Sequence, residues 1–139
     1  MIVLALEGQP SCGKSETLNI VYQFLLNDGY TQLPNKYSNL GNLKMRDFTD
    51  ILVKGNKKIG IVTQGDYVTT PNSIKNHLSK LFQENCTIAI CACTTKNPKA
   101  KLQVMHYPQS TFFPKQPTNI SSLQRVENNM IAQRIFNSI

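Results

Sequence analysis

No apolar run in the chain approaches the ~20 residues needed to cross a bilayer, so no membrane association is expected. The apolar residues near the amino end have no basic leader before them and run into glycine, which reads as a buried strand and not a signal peptide. Cysteine is also sparse. Cys12, Cys86, Cys91 and Cys93 are too few and too clustered for a secreted disulfide framework, and a reducing cytoplasm is the expected compartment. Acidic residues are scarce as well, eight against fifteen Lys plus Arg, and the formal charge of +7 favours polyanions such as nucleotides, nucleic acid or acidic partners. The basic residues are dispersed, however. Lys54, Lys57 and Lys58 surround one expected turn, and Lys96, Lys99, Lys101 and Lys115 lie in a proline-rich stretch, so most read as solvated surface and nucleic acid is weakly supported. Internal repeats and low-complexity linkers are absent, and 139 residues with 40 % hydrophobic content suit one domain over residues 1–139.

What is present divides into alternating strand and helix patterns. Residues 2–6 form a near-continuous apolar run, as in a parallel strand covered on both faces. Leu18, Val21, Tyr22 and Leu25 recur at helical spacing, which predicts a helix over residues 14–27 ended by Asp28-Gly29. Residues 30–45 lack clear periodicity and read as a long loop for a substrate or switch. Residues 47–53 and 58–63 read as two strands, and Gly55-Asn56-Lys57 between them is too short for anything but an antiparallel hairpin. Thr70-Pro71 predicts the start of a second helix over residues 71–84, with Ile74, Leu78, Leu81 and Phe82 inward and His77 solvated. Residues 87–93 form another buried strand, central in the sheet and parallel to the preceding one by the right-handed crossover rule. A short helix over residues 100–106 and a strand over residues 110–113 follow. A capping box at Ser121-Ser122-Leu123-Gln124 then predicts a terminal helix with Leu123, Val126, Met130 and Ile131 inward.

One motif carries chemistry. Gly8-Gln9-Pro10-Ser11-Cys12-Gly13-Lys14-Ser15 satisfies G-x-x-x-x-G-K-[ST] between an expected strand and an expected helix. Successive backbone N–H groups of such a loop wrap phosphate oxygens, and the helix amino end adds a favourable dipole. Lys14 would reach the outer phosphates and the Ser15 hydroxyl would bind Mg2+. Gly8, Ser11, Cys12, Gly13, Lys14, Ser15 and Glu16 are therefore the candidate nucleotide-binding residues, with Lys14 also a catalytic candidate. A chance glycine turn would not require the Lys-Ser pair.

On this Walker A motif the chain resembles the P-loop nucleoside triphosphate hydrolase superfamily, and Ala5-Leu6-Glu7-Gly8 looks like the start of P-loop nucleoside and nucleotide kinases. The resemblance covers residues 2–18. It implies an α/β three-layer P-loop NTPase fold: a mainly parallel sheet with an antiparallel hairpin strand at the edge, helices on both faces, and nucleotide at the carboxyl ends of the strands. Such enzymes place an acid at the end of a nearby strand to assist the metal. Here Thr63 occupies that position and Asp66 follows, which makes Asp66 the candidate metal-side and catalytic acid alongside Ser15, with Gln64 a candidate for positioning water. The hairpin also resembles that of small GTP-binding switches, but their signatures are missing. Asp66-Tyr67-Val68-Thr69 lacks the glycine of D-x-x-G, and Thr95-Lys96-Asn97-Pro98 has proline where an aspartate would read guanine. ATP is favoured by elimination.

The expected activity is Mg-dependent hydrolysis of a nucleoside triphosphate, or phosphoryl transfer to a small molecule. The alternative is a nucleotide-dependent switch or binding module with little turnover, acting on a protein partner. Asp47 and Asp50 are further candidates for a base, and Lys96, Lys99 and Lys101 for a lid, though paired arginines typical of lids are missing. Arg125 and Arg134 stand on the last helix. Cys91 and Cys93 share one strand face and read as core, whereas Cys12 stands among phosphate-facing groups, where its thiol would be open to activation.

Overall fold

The computed structural model describes residues 1–41 and 46–139. Its elements are β1 (Ile2–Gly8), α1 (Lys14–Asn27), β2 (Thr31–Gln32), β3 (Ser38–Leu40), β4 (Asp47–Lys54), β5 (Lys57–Val62), α2 (Ile74–Gln83), β6 (Ile88–Thr94), α3 (Pro98–Met105), β7 (Ser110–Lys115) and α4 (Ser121–Asn137). They form an α/β structure around a mixed, mostly parallel seven-stranded sheet, with the order β2-β4-β5-β6-β1-β7 and β3 also paired to β4. The strands β5, β6, β1 and β7 run parallel. β4 is antiparallel to β5, so the start of β4 lies at the edge where the parallel strands end.

Alternation along the strands divides the core in two. Leu4 and Leu6 of β1, Ile59 and Ile61 of β5, and Ile88 and Ile90 of β6 face α1 and α4. Val3, Ala5, Val62, Ala89, Cys91 and Cys93 face α2 and α3. The central strands are therefore apolar on both faces, as their continuous hydrophobic runs require, and β6 is buried along its whole length. None of the described helices is long and apolar enough to cross a membrane.

Several expectations need correction. The antiparallel part is larger than one edge hairpin, because β2 and β3 pair with β4 inside the stretch read as a loop; residues 42–45 of that stretch lie outside the described residues. Strands of two and three residues are too short to display a period, and the edge of β4 selects them. The helix expected from Pro71 begins at Ile74, with the Ser73 hydroxyl accepting from the Asn76 N–H at 3.2 Å. Thr70 and Pro71 instead begin a turn closed by the Ser73 N–H on the Thr70 carbonyl, and Pro71 has the φ that the turn needs. In α4 the residue preceding the helix is Ile120, and no side chain caps it, so the expected capping box is absent. Its buried face is also different. Asn128, Ile131, Ala132 and Ile135 pack inward, while Leu123, Val126 and Met130 stay more than half exposed. The helix carries two apolar stripes, and contact with α1 selects the one that includes Ala132, whose small side chain permits close approach.

His77, expected in solvent, is buried on α2 beside Ile74, Leu78 and Leu81. Burial, with help from the Lys80 charge, holds its pKa below the ordinary 6.5, against a smaller opposing pull from an Asn72 backbone hydrogen bond and the Asp47 charge. The unfolded chain therefore takes up this proton first as pH falls. The contribution of His77 to stability is complete above the unfolded value near 6.5 and is lost as pH drops towards the lower native value. Urea midpoints measured from about pH 7 to about pH 5.5 should fall in the wild type, and fall less steeply in His77→Gln.

Candidate functional site

At the carboxyl edge of the sheet, β1 ends at Gly8 and the chain turns through residues 9–13 into α1. Ser11 has φ +63° and Gly13 φ +92°, both left-handed. Gly13 immediately precedes the helix and no side chain caps it, so the first-turn N–H groups of α1 are left without a side-chain acceptor. A Cβ at Gly13 would meet the side-chain ends of Gln124, at 2.9 Å to Nε2, and Lys115, at 3.1 Å to Cε; these can shift, so it is the left-handed conformation that favours glycine.

Lys14 folds back over the loop. Its ammonium donates to the carbonyls of Gly8 at 3.0 Å and Gln9 at 2.8 Å, and Asp66 Oδ1 lies 3.7 Å away. Ser15 points to the other side and donates to Asp47 Oδ1 at 2.7 Å. The Thr63 hydroxyl donates to the same carboxylate oxygen at 2.9 Å and accepts the Phe48 N–H at 2.9 Å. Thr63 stands just beyond β5, and β4 enters the sheet in the opposite direction at Asp47. An antiparallel neighbour thus brings a carboxylate to the position where the end of β5 has only a hydroxyl.

A cavity of about 1020 Å3 opens over these groups. The glycine loop forms its floor with Ser11, Gly13, Lys14 and Ser15; Asp47, Thr63, Gly65 and Asp66 line one end; Gln124, Arg125, Asn128 and Asn129 of α4 line the other. Pro10, Glu16, Asn19, Ile20 and Arg46 also line it. Thr17 and Asn128 join the two helices, with the Thr17 hydroxyl 2.9 Å from the Gly13 carbonyl and 3.0 Å from Asn128 Oδ1, and the Asn128 amide donating to Glu16 at 3.3 Å. Gly65 abuts the Ala92 backbone closely enough that a Cβ there would strike the Ala92 carbonyl, so β6 sets the path of the chain into Asp66.

The structure brings together Ser11, Gly13, Lys14, Ser15, Glu16 and Asp66 on this cavity. Gly8 lies below them, and Cys12 is buried beneath the loop with its sulfur against Gly8. The acid hydrogen-bonded to Ser15 is Asp47; Asp66, 40 % exposed, pairs with Lys14 instead. Asp50 is enclosed behind β4, where it accepts from the Tyr22 hydroxyl at 2.6 Å and Gln32 at 2.9 Å; burial and Asp50 together raise the Tyr22 pKa. Gln64 is buried with its Oε1 3.3 Å from His77 Nε2, and it does not line the cavity. Lys96, Lys99 and Lys101 do not line it either, and Lys101 is 3.6 Å from Glu7. Arg125 lies on the cavity wall, whereas Arg134 does not. Burial pushes the Cys93 thiol up to about 11 and raises the Cys91 thiol further, so both stay protonated core residues. Among the described residues no group of three or more His, Cys, Asp or Glu side chains is arranged to hold a metal by itself. Sequence reasoning missed Gln124, Asn128 and Asn129, which reach the site only through the packing of α4, and Arg46, which reaches it only because β4 starts beside the loop; no motif marks either kind of residue.

Asp47 is 6 % exposed and holds two hydroxyls, so Asp47→Ala should lower stability by about 1–3 kcal/mol in urea titrations. Asp66→Ala removes a carboxylate that is 40 % exposed and 3.7 Å from a lysine that keeps its two carbonyl partners, and should cost under about 1 kcal/mol. Equal losses would contradict the placement of Asp47 as the buried acid bonded to Ser15. Comparison with known proteins yields no match: no family model fits the chain, and neither a curated protein nor a solved structure aligns with it significantly.

Proposed function

We propose that the cavity binds a magnesium complex of a nucleoside triphosphate, ATP by preference, and that the chain is a P-loop NTPase hydrolysing it or transferring its terminal phosphoryl group to a small molecule. The observation that carries this reading is the Ser15–Asp47 hydrogen bond beside Lys14, at the carboxyl edge of a parallel sheet and at the amino end of a helix. The fold supports it, since β1, the glycine loop and α1 stand in the order the motif needs. The cytoplasm suits the four free cysteines.

Phosphate oxygens would accept from the loop N–H groups of Ser11 and residues 13–16, the Cys12 N–H being held by the Gln9 carbonyl, and Lys14 would exchange its two loop carbonyls for the outer phosphates. The oxygen donors present fit Mg2+, which takes a few hard ligands from protein and the rest from phosphate and water. The Ser15 hydroxyl and the Asp47 carboxylate would hold it, with Asp66 within reach of its waters. Bound there, the ion would neutralise phosphate charge. Asp66, which reaches the cavity beside Lys14, would orient a nucleophile and accept its proton. The missing guanine-reading aspartate, replaced by Pro98, favours adenine.

One observation favours the alternative of a nucleotide-dependent module with little turnover. Gln64, the candidate for positioning water, is turned to His77, away from the cavity. Thermal-shift titration with ATP, GTP and their diphosphates, with and without Mg2+, tests the proposal. Mg-ATP at about a hundred times its Kd should add ~2.7 kcal/mol of stability, and Lys14→Ala should abolish the response. No response at millimolar nucleotide would refute nucleotide binding; phosphate release, or its lack despite tight binding, then separates enzyme from module.

A further inference from the structure

Lys115 ends β7, opposite Gly8 in the parallel register with β1. Its residue is 2 % exposed, and its ammonium has no hydrogen-bond partner among the described residues. The nearest carboxylate oxygen, Glu127 Oε1, is 3.9 Å away, and Glu127 also accepts from the Gln116 N–H at 3.3 Å. The side chain runs beneath the glycine loop, so that its Cε lies 3.1 Å from where a Gly13 Cβ would stand.

This is an unfavourable place for a lone cation. Desolvating an ammonium costs several kcal/mol unless hydrogen bonds compensate, and Gly13 precedes the amino end of α1, whose dipole is also positive. Glu127, half-open to water at 31 % exposure, offsets only part of this. Two positive features placed side by side at low dielectric become favourable together when an anion occupies the loop. Lys14 and Asp66 mark one flank of that loop, while Lys115, Gln124 and Asn128 mark the other, so the two lysines stand on different sides of it.

We propose that Lys115 is a second, concealed cation of the phosphate site: a positioning residue that supports the Gly13 peptide from beneath and strengthens binding of the inner, diphosphate part of a nucleotide through its field. The inference rests on the nucleotide reading above. Because Lys115 does not line the cavity, it acts through the loop backbone and not by direct contact.

Isothermal titration of the full chain with Mg-ATP, Mg-ADP and inorganic pyrophosphate provides the test. Lys115→Met should weaken all three by a similar factor, about tenfold, while the unliganded Tm stays level or rises because a buried charge has been removed. Lys115→Arg should restore most of the affinity. Glu127→Gln, which removes the competing carboxylate, should tighten binding by about threefold. Unchanged affinity in Lys115→Met, equal impairment in the Met and Arg variants, or weaker binding in Glu127→Gln would overturn the proposal in favour of a packing role. Wild-type protein can be followed even if a variant fails to fold. On addition of pyrophosphate the Lys115 ammonium resonance should move together with the Gly13 amide, and movement of Gly13 alone would also overturn the inference. Failure of the wild type to bind any of the three ligands would instead reject the nucleotide reading, and this inference with it.

Discussion

The hydrogen bond from Ser15 to Asp47 joins the start of α1 to the start of β4, 32 residues away, and the geometry of the candidate site depends on it. Neither residue reaches the other through local structure. Ser15 is held by the helix that follows the glycine loop, and Asp47 by antiparallel pairing of β4 with β5. Thr63, at the end of β5, shares the same carboxylate oxygen and so links the parallel and antiparallel parts of the sheet at one atom. The acid is 6 % exposed, which keeps the hydrogen bonds it accepts strong and their geometry narrow.

Around this junction the sheet and helices form a polarised edge. The parallel strands end there, α1 begins there, and close contact between Gly65 and the Ala92 backbone directs Asp66 to the same edge. The opposite wall comes from α4, whose Asn128 is tied to Thr17 and Glu16 and so fixes the rotation of one helix against the other. Cations and anions balance around the cavity: Lys14, Arg46 and Arg125 against Glu16, Asp47 and Asp66. The net basic charge of the chain is thus not concentrated in the cavity.

How much of this was legible follows from range. β1, α1 and the β4–β5 hairpin could be read because each repeats over several residues and is bounded by its own glycine or asparagine signals; α1 occupies the expected residues 14–27. β2 and β3 could not, since so few residues carry no period and their pairing belongs to β4. α4 was legible as a helix but not in its orientation, because two apolar stripes compete and only the packed partner chooses. His77 looked polar by its place on α2, yet the α2 layer encloses it against Gln64.

The sequence by itself determined a glycine loop ending in Lys14 and Ser15, an apolar strand before it and an amphipathic helix after it, since all three are set by neighbours within a few residues. Tertiary structure decided which acid meets Ser15. The expectation that the acid would follow β5 assumed that a parallel strand must deliver it, whereas an antiparallel strand can bring its first residue to the same edge. Asp47 and Asp66 are both carboxylates near strand ends, and only the register of β4 against β5 distinguishes the one bonded to Ser15 from the one paired with Lys14. Lys115 was decided in the same way: one lysine among several in a proline-rich stretch, and buried beneath Gly13 only because β7 pairs with β1.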